Sequence, residues 1–129
     1  MGFIGRVERK TMNANFFELK GLRIERIEGA SAGSDEVLIV TTALASPTFR
    51  LVHYQDCCEG AAVESVSGNP EDHIGKVVTL AEEDSVVADV GESSTRTTFR
   101  IQTEAGEFVI VWLGESNGYY NVSVEVERF

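Results

Sequence analysis

The chain has 129 residues, 43% of them hydrophobic and 25% charged, and a formal net charge of −10. That length suits one domain with one core, the composition excludes wholesale disorder, and no apolar run approaches the ~20 residues of a membrane span. Residues 1–26 carry a net +3 and residues 27–129 a net −13, so most of the surface should repel nucleic acid and direct binding to it is not expected.

Residues 1–15 are the least patterned and predict a flexible arm or an extra strand, with a single β-rich domain over 16–129. Leu22 to Ile27 alternates apolar and charged side chains, as a half-buried strand does, and Glu28 to Glu36, with Gly29, Gly33 and Ser34, reads as a turn. Val37 to Thr42 is a β-branched run whose hairpin partner is Thr48 to Tyr54. Ala61 to Val66 predicts a further short strand. Asn69-Pro70-Glu71-Asp72-His73-Ile74-Gly75 has a capping asparagine, a first-turn proline, acids at the start and a glycine exit, so it predicts one helical turn near residues 70–74, with His73 exposed. Lys76 to Ala81 and Val86 to Val90 predict two short strands around the solvated acidic patch Glu82-Glu83-Asp84.

Thr97 to Thr103 and Phe108 to Leu113 form an antiparallel pair around a turn at 104–107, with the second strand buried on both faces and Trp112 in the core. Asn117-Gly118 is the preferred dipeptide of a type I′ hairpin and predicts a last strand from Tyr119 to Val126. The fold class is therefore mainly β: an antiparallel barrel-like or sandwich fold of about eight or more short strands, with at most one short helical turn.

Two motifs hold the candidate chemistry. In His53-Tyr54-Gln55-Asp56-Cys57-Cys58-Glu59, the ligand-binding candidates are His53, Tyr54, Asp56, Cys57, Cys58 and Glu59. Thiolate and imidazole suit zinc, yet adjacent cysteines do not both reach one ion without a special turn, so metal stays unassigned. A cysteine activated by His53 would suit a small hydrolase or transferase, but an extended chain puts the two roughly 13–17 Å apart, with no third group in view. The spacing favours a structural role, with a cysteine filling the core and His53 and Asp56 bonded to backbone. These lone neighbouring cysteines form no disulfide framework, and the opening Met-Gly-Phe-Ile-Gly-Arg lacks a signal-peptide pattern, so the expected compartment is the cytoplasm.

The second motif, Gly114-Glu115-Ser116-Asn117-Gly118-Tyr119-Tyr120, offers Glu115, Ser116, Asn117, Tyr119 and Tyr120. A carboxylate, a hydroxyl, an amide and two phenols suit a nucleobase or ribose, although the same residues also serve an ordinary turn. No phosphate-binding glycine loop, Gly-x-Ser-x-Gly elbow or His-Glu-x-x-His occurs, so no cofactor and no catalytic residue is assigned, and a non-enzyme is favoured over an enzyme.

Together, the His53–Glu59 segment, Asn69–Gly75 with Leu80-Ala81-Glu82-Glu83, and Gly114–Tyr120 resemble a small domain of unknown function found widely in bacteriophage genomes. That family carries a His-Asp-Gln-Asp-Cys-Cys-Glu stretch, a Leu-Ile-Gly turn and a Ser-Asn-Gly-Tyr-Tyr hairpin, over about residues 16–128 here. This chain departs from it at Tyr54, where the family has Asp, which weakens any shared metal site, and at His73, where Leu is common. The resemblance implies a phage-type accessory protein in the host cytoplasm that sequesters a nucleotide-like small molecule or blocks a host defence protein, acting singly or as a homo-oligomer. An alternative, resting on the acidic charge, is a decoy that occupies a host DNA-binding protein.

Overall fold

A computed structural model describes residues 12–54, 59–88, 94–116 and 122–129 of the chain. Nine strands lie in this range: β1 (Met12–Asn13), β2 (Ile24–Glu28), β3 (Glu36–Thr41), β4 (Thr48–Val52), β5 (Glu59–Ser67), β6 (Leu80–Ala88), β7 (Ser94–Thr103), β8 (Gly106–Ser116) and β9 (Glu125–Arg128). They form a five-stranded sheet of order β1-β9-β4-β3-β2 and a four-stranded sheet of order β5-β8-β7-β6, with every pairing antiparallel. The fold is a sandwich, and the barrel alternative is not adopted because neither sheet closes on itself.

The period-two pattern explains which faces meet. Val37, Ile39, Phe49, Leu51 and Val126 line the inner face of the first sheet, and Phe99, Ile101, Phe108, Ile110 and Trp112 that of the second. Phe16, from a 3₁₀ turn at Phe16–Leu19 that the sequence did not announce, meets Phe99 edge-on with ring centroids 4.8 Å apart. The second 3₁₀ turn, Pro70–His73, lies where expected, and the Asn69 side chain caps it by accepting from the Glu71 N–H at 3.1 Å.

Four expectations are corrected. Lys76–Ala81 and Val86–Val90 are not two strands: β6 runs unbroken through the acidic patch, because an edge strand can turn alternate carboxylates to water on both faces. Lys76 to Val78 instead borders β2, through a bridge between Arg23 and Val77. His73 is buried rather than exposed. The outer face of β8 (Val109, Val111, Leu113) is half-buried, so that strand is fully covered on its inner face only. Finally, β8 and β9 do not pair: β8 is held by β5 and β7, and the last strand joins the other sheet beside β4. The Asn117-Gly118 dipeptide lies outside the described residues, as does Val90.

Candidate functional site

The topology gives the two motifs a common setting. Residues 53–58 carry the chain from β4 in the first sheet to β5 in the second, and residues 117–124 carry it from β8 in the second sheet back to β9 in the first. At one foot of these crossings β9 lies beside β4, with Glu125 opposite Val52. At the other foot β5 lies beside β8, with Glu59 opposite Ser116, Gly60 opposite Glu115 and Ala61 opposite Gly114. The two crossings thus start and finish next to each other at one end of the sandwich. Asp56, Cys57, Cys58, Asn117, Tyr119 and Tyr120 lie outside the described residues; His53, Tyr54, Glu59, Glu115 and Ser116 lie within them.

His53 follows directly on β4, and its Nδ1–H donates to the Ser123 carbonyl at 2.6 Å, which ties the start of the first motif to the chain just beyond the second. Tyr54 points elsewhere. Its hydroxyl donates to the Glu127 carboxylate, with the two oxygens at 2.8 and 2.7 Å, and Arg50 grips the same carboxylate at 2.7 Å. Glu36 approaches Arg50 at 3.7 Å, and the guanidinium sits 4.8 Å from the centre of the Phe129 ring. Burial, and then the Glu127 carboxylate, hold the Tyr54 phenol above its ordinary value. Burial alone would lower the Arg50 guanidinium, but its hydrogen bond to Glu127 and that group's charge outweigh burial and raise it.

Arg50, Ser123 and Glu127 were not singled out in the sequence. Glu127 continues a valine–polar alternation and reads as exposed, yet only 8% of it is accessible. A basic residue facing it on the neighbouring strand was the available signal, and strand order is needed to use it.

Beneath the crossings, the inner face of the second sheet turns polar. Thr97 lies opposite Trp112, and Thr95 opposite Gly114. Thr95 Oγ1 and Trp112 Nε1 are buried and have no hydrogen-bond partner among the described residues, whereas Thr97 Oγ1 shares a 3.1 Å bond with Ser85. A Cβ on Gly114 would lie 2.4 Å from Val122 Cγ1, so this glycine is what lets the returning chain sit on β8. Among the described residues no three His, Cys, Asp or Glu side chains gather as metal ligands, and no helix is long and apolar enough to cross a membrane.

A small antiparallel sandwich with paired crossings is the class of protein that this geometry defines. Residues 17–126 match the family described as a domain of unknown function, DUF7448, and the chain belongs to that family. Comparison with curated proteins and with solved structures finds no match.

Proposed function

We propose that the chain is a non-enzymatic binding protein whose ligand is held by the two crossings, with Asp56, Ser116, Asn117, Tyr119 and Tyr120 as its principal contacts. One observation carries this reading: Glu59 lies opposite Ser116 at one foot and Glu125 opposite Val52 at the other, so two polar, aromatic segments far apart in sequence begin and end side by side. The polar inner face below, with Thr95 Oγ1 and Trp112 Nε1 unpartnered among the described residues, adds hydrogen-bonding capacity at the same end.

The ligand class is a nucleoside-like molecule gripped by its base and sugar. Phenols stack on bases, an amide reads a base edge, and carboxylates such as Glu59 and Glu115 accept from ribose hydroxyls. Those same carboxylates repel phosphate, so any phosphate would point to solvent. A phage-type role in the host cytoplasm, sequestering such a molecule, fits a small chain of this kind; a host defence protein is the alternative partner.

Trp112 is the only tryptophan of the chain and stands two residues before Gly114 on the inner face, so its fluorescence is a built-in reporter. Titration with the four ribonucleosides and their monophosphates should give a saturable change with at least one of them, lost in Tyr119→Ala while the folded spectrum is kept. No saturable change with any of the eight, or an undiminished one in Tyr119→Ala, would count against this site.

A further inference from the structure

Among the described residues, the edges of the two sheets are closed in different ways, and one is left open. The edge of β2 is covered by the segment at Gly75–Val78, with Ile24 N–H donating to Lys76 O at 2.9 Å and Gly75 N–H to Ile24 O at 2.7 Å. The edge of β5 is covered by the turn at Gly33-Ser34, which exchanges two 2.8 Å bonds with Val63. The remaining edge of the first sheet is the two-residue strand β1. By contrast β6 is nine residues long, and among the described residues it pairs with β7 alone and no main-chain bond runs to its outer side. Every residue from Glu82 to Val87 is exposed, including Val86 at 61% and Val87 at 53%. Long, exposed, partly apolar edges are pairing templates.

A groove of about 740 Å³ runs along this edge between β6 and the first 3₁₀ turn, whose Phe17 is 63% exposed beside it. We propose that this groove accepts an extended, basic segment of a partner protein, added to β6 as a fifth strand of the second sheet. The open edge and the groove make the site; the side chains choose the occupant. Glu83 lies on the inner face opposite Phe99, while Glu82 and Asp84 lie on the outer face opposite Arg100 and Thr98. An incoming strand that alternates Lys or Arg with apolar residues could satisfy carboxylates on one face and cover Val86 or Val87 and Phe17 with the other. Partial burial and the Glu125 carboxylate push Glu83 above the usual carboxylate range, the condition that a neighbouring cation relieves. A second copy of this chain is disfavoured at the same edge, since each brings a net −10 and three adjacent acids. This surface is separate from the crossings, so the inference does not depend on their ligand.

The test uses the whole chain and an acetylated, amidated peptide of about seven residues alternating Lys and Val, long enough to span the open edge. Hydrogen exchange should show new protection of the Glu82–Val87 amides on adding the peptide. N-methylation of alternate peptide residues on the pairing side should weaken binding at least tenfold, and so should the triple variant E82Q/E83Q/D84N. All three changes keep side-chain size, and E83Q removes a charge that its setting already disfavours, so the variant keeps its fold. No binding at low salt, protection elsewhere, or equal binding to the variant would overturn the proposal. So would a concentration-dependent dimer that protects the same amides without peptide, because the edge would then belong to a second copy.

Discussion

His73 sits in a polar, proline-led turn, yet it is sealed inside the molecule. Its Nδ1 is 2.6 Å from Thr103 Oγ1 and its ring centroid 4.7 Å from that of Phe108. Burial lowers its pKa, partly offset by the charge of Asp72. The unfolded chain therefore binds this proton more readily than the native one, so stability should be complete above the ordinary histidine value of about 6.5 and decline as pH falls through and below it. Urea midpoints at pH 7.5 and 5.5 check this: His73→Gln should lose less stability between the two than the natural chain, and equal losses would contradict the assignment. Tyr54 and Glu127 give a second prediction at this scale. Tyr54→Phe removes one hydrogen bond to a buried carboxylate that keeps Arg50, and should cost about 1 kcal/mol. Arg50→Met leaves that carboxylate without its cation and should cost about 3 kcal/mol or more. Neither residue's partner was legible in the sequence, because His73 needs the position of Phe108 and Glu127 needs the strand beside it. The asparagine cap of the same turn was legible, since capping is settled within four residues.

The elements follow the same division between local and distant causes. β3 with β4 and β7 with β8 were readable as hairpins from alternation and turn residues, and their registers follow. The Asn117-Gly118 signal pointed to pairing of β8 with the last strand, but both sides of β8 are already taken by long partners and the last strand joins β4. Gly114 marks where this happens. Gly114→Ala drives a Cβ into Val122 and should destabilise the chain by about 1–3 kcal/mol. Adding Val122→Ala should recover part of that loss, while simple additivity of the two changes in chemical denaturation would show that the contact is not what limits this position.

At the scale of the whole molecule, fold class was legible and topology was not. Strand-length runs, turn residues and one Pro-led turn sufficed for a mainly β, barrel-like or sandwich fold, whereas the order of strands depends on contacts between segments 57 and 73 residues apart, Glu59 with Ser116 and Val52 with Glu125. Those contacts turn two separate motifs into neighbouring crossings, and they carry the functional reading. Residue types alone marked the segments, but nothing in their spacing along the chain showed that they share an end of the sandwich.

Native mass spectrometry of the chain recovered from a cell lysate, alongside Asp56→Ala and Tyr119→Ala, tests that reading most directly, because each variant disables only one crossing. The natural chain should retain a mass excess that matches a nucleoside or nucleotide, and both variants should lose it while keeping their folded charge-state distribution. A bare mass for the natural chain, or an excess that survives in either variant, would contradict a ligand held jointly by the two crossings.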